Sequence, residues 1–141
     1  MRIVKHLLED KTEIYAIGPE QPVLAAIQMM ADKFVGALLV MHGNELLGIV
    51  SERDYARKVI LKGRSSAETP VREIMSSPVL SVTSGESVHR CMRLMTDKHI
   101  RHLPVVDDGK VTGMLSIGDL VKAVIDDQAE QLDLLQRYIS G

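Results

Sequence analysis

An internal duplication constrains the fold more than any other feature of this sequence. A shift of 65 positions aligns residues 14–60 with residues 79–125 without a gap, and 11 of the 47 pairs are identical. Most of the other pairs keep their polarity. A unit of roughly 50–60 residues buries little surface alone. We therefore expect two related units that pack sheet to sheet about a pseudo-twofold axis, with two equivalent clefts.

Each copy has the pattern of a β-α-β-β-α unit. A short extended segment (EIYAI, PVLSV) comes first, and apolar residues then recur at spacings of three and four, as in a helix. The apolar runs GALLVM and HLPVVD are each joined by turn residues (HGNE, DDGK) to a second strand, which predicts a hairpin. A second helix should begin after Ser51 and after Ser116. His99 aligns with Phe34 and is expected to be a partly buried helix residue.

The duplication divides the chain into five parts. We place repeat one at residues 14–62, a linker at 63–78 and repeat two at 79–125. The linker contains VREIM, which favours a short helical turn. A helical extension is expected at residues 1–13, and another at 126–141 with Leu132, Leu135 and Ile139 on one side.

Composition and charge exclude several classes of protein. The 17 basic and 19 acidic residues are interspersed, with no arginine-rich run, which argues against a nucleic-acid partner. No apolar stretch approaches the ~18 residues that span a bilayer. The start MRIVKHLLEDK does not resemble a signal peptide, and Cys91 is the one cysteine, a small buried hydrophobe by its helical pattern. We expect a soluble, cytoplasmic protein with no membrane partner.

One motif occurs in both copies, as GIVSERDY at residues 48–55 and GMLSIGDL at residues 113–120. Ser-x-x-Asp after a strand is the signature of a helix capping box. It also suits a ligand, because a helix N-terminus attracts phosphate and a nearby carboxylate accepts hydrogen bonds from ribose hydroxyls. Gly48 and Gly113 would leave space for backbone or ligand. The residues alone leave both interpretations open.

These motifs, in this order, resemble the CBS domain, named after cystathionine β-synthase. HIRHLPVVDDGKVTGMLSIGDL is the most specific stretch, and VREIMSSPV matches the usual entry to a second repeat. Repeat one is more divergent, since GALLVM lacks a counterpart of Pro104. The whole chain is similar to a stand-alone tandem CBS pair of bacterial type, with an α/β (α+β) fold. The resemblance implies regulation by an adenosyl ligand bound in the clefts between the repeats, rather than catalysis.

The resemblance also implies where such a ligand would bind. The adenine should lie against the first strand and the segment before the second strand of each repeat, with Ser and Asp at the helix start. The ligand-binding residues expected on this basis are Ile14, Tyr15, Val35, Gly36, Ala37, Ser51, Arg53, Asp54, Val79, Leu80, Ile100, Arg101, His102, Pro104, Ser116 and Asp119. The apolar members would also pack in the core.

The two expected sites differ in charge. Arg53 has Gly118 as its counterpart, while Arg101 and His102 face Gly36 and Ala37 in the alignment. Arg53 would reach a phosphate, or else be a solvated surface residue. Because cations are few, a triphosphate would be poorly neutralised. We therefore expect AMP or NAD ahead of ATP, ADP or S-adenosylmethionine.

Three other functions compete with nucleotide binding. The histidines at positions 89, 99 and 102 lack a cysteine or carboxylate at recognised spacing, which argues against a metal site. No nucleophile elbow, P-loop or HExxH motif is present, which argues against an enzyme. A structural dimerisation module with degenerate ligand sites is the alternative that stays open. We expect a homodimer that acts on an unknown regulated protein partner, with its contact at Tyr55, Val59, Leu120, Val124 and the amphipathic termini.

Overall fold

The computed structural model describes residues 2–9 and 13–140, and it divides into two compact units. The repeat-one unit is Ile14–Leu80. The repeat-two unit consists of the described residues of Met1–Glu13 and Ser81–Gly141. Residues 1, 10–12 and 141, which belong to the two expected extensions, lie outside the described residues.

The element order confirms the β-α-β-β-α pattern and the mixed α/β fold, with one shortened strand in repeat two. The helices and strands are α1 (Val4–Leu8), β1 (Ala16–Ile17), α2 (Val23–Lys33), β2 (Ala37–His42), β3 (Glu45–Ser51), α3 (Glu52–Tyr55), α4 (Val88–Lys98), β4 (His102–Asp107), β5 (Lys110–Ser116) and α5 (Ile117–Ser140). A π-helical turn, Ala56–Ile60, continues α3. The expected turn at VREIM is a 3₁₀ helix, Val71–Glu73.

The two hairpins have the same register, which shows that the duplication extends to the backbone. Strands β2 and β3 pair antiparallel, as do β4 and β5. Each hairpin has a bulge at the same place, between Val40 and Met41 and between Val105 and Val106. The β4–β5 turn has positive φ at both Asp108 and Gly109, as a two-residue type I′ turn requires.

The first strand differs between the repeats, because Pro104 lacks an N–H group. In repeat one, β1 runs parallel to β2, and the Leu39 N–H donates to the Tyr15 carbonyl at 3.1 Å. Pro104 is the counterpart of Leu39 and has no proton to donate there. The expected strand PVLSV is therefore reduced to one parallel bridge, Val82 to Val105.

The first helix of each repeat ends one residue earlier than its apolar pattern suggested. Phe34 and His99 follow the last helical residue in the left-handed conformation, with φ 56° and 53°. Both side chains are exposed, Phe34 to 95%. The expectation that His99 is a partly buried helix residue is therefore wrong, because the reversed backbone turns it out to solvent.

Segments outside the aligned repeats complete each unit in the same way. The Val4 N–H donates to the Glu86 carbonyl at 2.9 Å, and the Val71 N–H donates to the Gln21 carbonyl at 2.8 Å. Glu86 is the repeat-two counterpart of Gln21. Both valines are fully buried. Residues 3–8 therefore pack against repeat two in the same way as residues 70–75 pack against repeat one.

Each unit has its own aliphatic core, and these cores contain two of the expected dimer contacts. Val59 and Leu120 are almost completely buried in the repeat-one and repeat-two units respectively. They pack within one chain, so the expectation that they contact a second copy is wrong. Tyr55 and Val124 are only partly buried.

Candidate functional site

The helix start of repeat one is a reciprocal capping box. The Asp54 N–H donates to the Ser51 hydroxyl at 3.2 Å, and the Ser51 N–H donates to Asp54 Oδ2 at 3.0 Å. The Ser51 hydroxyl also donates to the same carboxylate oxygen at 3.0 Å. The box forms because Ser51 ends β3 in an extended conformation, so its side chain faces the first turn of α3.

Repeat two has the same arrangement. The Asp119 N–H donates to the Ser116 hydroxyl at 3.2 Å, and the Ser116 N–H donates to Asp119 Oδ2 at 2.8 Å. Both Ser-Asp pairs are half-buried. The capping interpretation of the repeated motif is thus correct for both copies, and the ligand interpretation stays a prediction.

A backbone hydrogen bond joins each helix start to the residues just before a strand. We call residues 35–37 and 100–102, each of which ends at the first residue of β2 or β4, the pre-strand segments. The Glu52 N–H donates to the Gly36 carbonyl at 3.1 Å, and the Ile117 N–H donates to the Arg101 carbonyl at 2.8 Å. The structure therefore brings together, within each unit, the pre-strand segment and the Ser-Asp pair that the sequence predicted for one site.

The first-strand residues expected at the adenine differ between the two repeats in their surroundings. Tyr15 precedes β1, beside β2, and its ring lies 5.6 Å from the Lys33 ammonium nitrogen, within reach of a cation–π interaction. Ile14 is exposed. Val79 is half-buried and Leu80 is exposed, and both fall in the repeat-one unit. Repeat two has no aromatic side chain at the position of Tyr15, since its counterpart is Leu80.

The two motif glycines leave space for the protein's own chain. A Cβ added at Gly48 would lie 2.8 Å from the Ser76 carbonyl oxygen and 2.9 Å from Met75 Sδ. A Cβ added at Gly113 would lie 2.6 Å from Leu8 Cδ2. The sequence predicted that backbone or ligand would lie beside these glycines. In the structure, backbone and side-chain atoms of residues 75–76 lie beside Gly48, and the Leu8 side chain lies beside Gly113.

The charged groups around the two helix starts differ, and one of them was missed from the sequence. Lys58 Nζ lies 3.2 Å from Asp54 Oδ1 and donates to the Ile74 carbonyl at 2.9 Å. Its repeat-two counterpart is Ala123. Asp54 and Lys58 are four residues apart, which is a recognised ion-pair spacing on a helix, so the sequence contained the signal that predicts this contact. Arg53 and Arg101 are exposed and His102 is half-buried.

Pro104 and Ala37 are buried in their sheets, and the Pro104 carbonyl accepts the Val82 N–H at 3.1 Å. Val35, Gly36 and Ile100 are half-buried.

In the described part of the chain, no three His, Cys, Asp or Glu side chains lie close enough together to hold a metal ion. Cys91 is buried, and this burial raises the pKa of its thiol to about 11.

A protein-family model matches both repeats of this chain. The model of the CBS domain matches residues 4–61 and again residues 71–126. This chain belongs to the CBS domain family. The two matches begin at Val4 and Val71, the two buried valines that occupy equivalent positions in the units.

Relatives and solved structures agree with this assignment. The mitochondrial CBS domain-containing protein CBSX3 of Arabidopsis thaliana is 45% identical over 127 residues, which cover 86% of this chain and 62% of that protein. This chain thus spans less than two thirds of that relative. A structure from Burkholderia ambifaria, described as a candidate signal-transduction protein with CBS domains, is 50% identical with a TM-score of 0.87, over 90% of this chain and 96% of that one.

One similar solved structure is described as a hexamer. The hexameric CBS-CP12 protein from bloom-forming cyanobacteria is 26% identical with a TM-score of 0.77, over 85% of this chain and 66% of that one. None of the helices within residues 2–9 and 13–140 has the length and apolar character needed to cross a bilayer.

Proposed function

We propose that this CBS pair is a regulatory module that binds an adenine nucleotide, AMP or NAD, and signals to a protein partner. The observation that carries the proposal is the hydrogen bond that joins each pre-strand segment to the start of the following helix. It places backbone groups, a serine hydroxyl and a carboxylate side by side in both units. The relative from Burkholderia ambifaria, described as a candidate signal-transduction protein, supports a regulatory role.

Each of these groups suits one part of a nucleotide. Backbone N–H and C=O groups of a pre-strand segment read the edge of an adenine. Asp54 and Asp119 accept hydrogen bonds from ribose hydroxyls, and the helix start with its serine receives a phosphate. Without ligand, Ser51 and Asp54 satisfy each other in the capping box, so binding exchanges bonds within the box for bonds to the ligand.

Charge favours a ligand with one phosphate or a pyrophosphate diester. Lys58 is already engaged by Asp54 and by the Ile74 carbonyl, so it adds little free positive charge. Arg53 belongs to the sequence of repeat one, whereas Arg101 and His102 belong to that of repeat two. A triphosphate would be incompletely neutralised at either site. AMP and NAD therefore rank above ATP, and we also place ADP and S-adenosylmethionine below them.

The remaining parts of the proposal concern assembly and setting. The module is a homodimer, not an enzyme, and it works in the cytoplasm without a metal. The hexameric relative supports self-association, although its subunit number is its own. The mitochondrial relative shows that family members also occur in an organelle. Detection of a converted nucleotide after incubation with the purified protein would contradict a purely regulatory role.

A second candidate is a structural dimerisation module with degenerate ligand sites. It is favoured by the two capping boxes, because all four side chains already have partners without a nucleotide. Thermal unfolding with AMP, NAD and ATP separates the two functions. A ligand at 100 times its Kd stabilises a binder by about 2.7 kcal/mol, whereas a degenerate module gains nothing.

A pair of substitutions at one serine separates capping from binding. Asparagine and aspartate both offer an oxygen to the Asp54 N–H as Ser51 does, but an aspartate also faces the Asp54 carboxylate, so thermal unfolding of each variant without ligand measures any loss of the cap. Only Ser51→Asp adds a negative charge where the phosphate would lie. We expect calorimetry to show that Ser51→Asp weakens AMP binding to repeat one at least tenfold more than Ser51→Asn. Ser116→Asp and Ser116→Asn test repeat two in the same way. Equal affinities within both pairs would contradict the proposed phosphate position.

A further inference from the structure

The last helix continues far beyond the core that holds it. Helix α5 has 24 residues, and Leu120 and Ala123 near its start are buried in the repeat-two unit. From Gln128 to Ser140 every described side chain is exposed. At 1.5 Å per residue this exposed part is about 20 Å long.

Six residues of α5 form one uninterrupted face, which we call the heptad seam. They are spaced alternately by four and three positions: Val121, Ile125, Gln128, Leu132, Leu135 and Ile139. This alternation is the repeat of a coiled coil. The five aliphatic members are exposed, from 40% at Val121 to 75% at Ile139.

The charged side chains of this region lie away from the seam. Arg2 Nε is 2.8 Å from Asp127 Oδ1, and Arg2 Nη2 is 2.8 Å from Glu130 Oε1. At 100° per residue, Asp127 and Glu130 project from the side of α5 opposite the seam. The positions that would flank a paired seam after Ile125 are Ala129, Gln131, Gln136 and Tyr138, all uncharged. Two copies of the seam can therefore approach without repulsion between flanking charges.

We propose that the heptad seam pairs with the same seam of a second copy as a parallel, in-register, two-stranded coiled coil. The inference rests on the proposed self-association and locates its contact. The a positions are Ile125, Leu132 and Ile139, and the d positions are Val121, Gln128 and Leu135. Two of the three a positions are β-branched isoleucine and the last d position is leucine, which favours two strands. The five aliphatic side chains offer roughly 500 Å² per copy, so a pair reaches about 1,000 Å², near the lower limit for a specific interface.

Gln128 selects the parallel orientation. In register, Gln128 of one copy meets Gln128 of the other, and the two amides can hydrogen-bond across the seam. In an antiparallel pair with full overlap, Gln128 instead meets Leu132, because both lie equally far from the ends of the seam. That arrangement leaves two amides buried against leucine without a partner, which is unfavourable.

Matched leucine substitutions test the seam in the full chain. Leu132 and Leu135 lie on it and are 60% and 55% exposed, whereas Leu134 is 64% exposed on another face of the same helix. Sedimentation equilibrium should show a dimer for the parent and for Leu134→Glu. Leu132→Glu and Leu135→Glu should each raise the dimer Kd at least about 30-fold, as loss of an interface hot spot does. Circular dichroism should show that all three variants fold.

The outcomes separate this inference from the proposed self-association. A parent that is monomeric at 100 micromolar, on the order of a weak complex, contradicts both. A dimeric parent whose seam variants keep the parental Kd contradicts only the coiled coil. Ser140→Cys, spin-labelled at pH 7, then reports the orientation, and the same labelling of the parent checks that the buried Cys91 takes up no label. Parallel, in-register helices would hold the two labelled Cα atoms about 10 Å apart, whereas antiparallel helices with full overlap would hold them about 30 Å apart, which contradicts the parallel arrangement.

Discussion

Phe34 is held in a backbone conformation that suits glycine better. It follows α2 with φ 56° and ψ 43°, and its ring is 95% exposed, so packing offsets little of the cost. A left-handed residue with a Cβ costs roughly 1–2 kcal/mol, part of which glycine loses again through unfolded-state entropy. We expect Phe34→Gly to raise the free energy of unfolding by about 0.5–1 kcal/mol in urea titrations. Phe34→Ala keeps the Cβ and serves as the control, with no such gain.

Asp107 links the stability of the repeat-two unit to pH. Its carboxylate accepts the Ser84 N–H at 2.9 Å and the Thr112 hydroxyl at 3.0 Å. The Ser84 backbone hydrogen bond is the main cause that lowers the pKa of Asp107. A lowered native pKa adds stability above the unfolded pKa of about 3.9, and that stability is lost as pH falls through the native pKa.

Asp107→Asn should therefore be less stable than the parent at pH 7. The difference should shrink as pH falls below about 3.9, where the unfolded parent takes up a proton before the folded parent does at its lowered pKa. Urea unfolding at pH 7, 5 and 3 measures this trend. Asp97 is an exposed carboxylate on α4 in the same unit, so Asp97→Asn serves as the control. An Asp107→Asn difference that stays constant from pH 7 to 3 would show that the charge contributes nothing.

The hairpins lie against two segments that respond differently to the same substitution. The Ser76 backbone is fixed to Ile49 by hydrogen bonds of 2.8 and 3.1 Å, so it cannot move away from a Cβ at Gly48. Leu8 Cδ2 is the flexible end of a side chain and can move away from a Cβ at Gly113. We expect Gly48→Ala to cost about 2–3 kcal/mol of unfolding free energy and Gly113→Ala about 1 kcal/mol.

A double-mutant cycle checks the cause. Leu8→Ala removes the atoms that a Cβ at Gly113 would meet, so it should cancel most of the penalty of Gly113→Ala. Gly48→Ala meets Ser76 and Met75 instead, so Leu8→Ala should leave its cost unchanged. Additivity at Gly113, or equal costs at the two glycines, would contradict this explanation.

Elements fixed by local pattern were predictable from the sequence, and those that depend on a distant partner were not. Helices α2 and α4, both hairpins and the helix starts after Ser51 and Ser116 follow from spacing and turn residues. The shortened first strand of repeat two depends on a missing proton at Pro104, 22 residues after Val82. The ion pair of Lys58 with Asp54 has the local i,i+4 spacing, so it was predictable as well, although it was not among the predictions made from the sequence. The contact of Val4 with repeat two joins residues more than 80 positions apart, and no local pattern reports it.

The whole molecule consists of two units, each completed by a segment that precedes its repeat or follows it. The N–H groups of residues 4 and 5 donate to the Glu86 and Ser84 carbonyls in the repeat-two unit, and those of residues 71 and 72 donate to the Gln21 and Pro19 carbonyls in the repeat-one unit. The equivalence is hidden in the sequence because these segments align at a shift of 67 rather than 65. The first residues of the chain are therefore structural parts of the second repeat.

Val4 and Val71 provide matched probes of this arrangement, because both are fully buried at equivalent positions. Each valine-to-alanine substitution should cost about 2 kcal/mol, through lost burial and the cavity that remains. Hydrogen exchange should localise the effects: Val4→Ala accelerates exchange in α4, β4 and β5, and Val71→Ala does so in α2, β2 and β3. Removal of residues 1–9 should accelerate hydrogen exchange in α4, β4 and β5 more than Val4→Ala does, because the backbone hydrogen bonds to Ser84 and Glu86 are lost together with Val4. Unchanged exchange in β4 and β5 after that removal would mean that the segment only rests on a unit already complete without it.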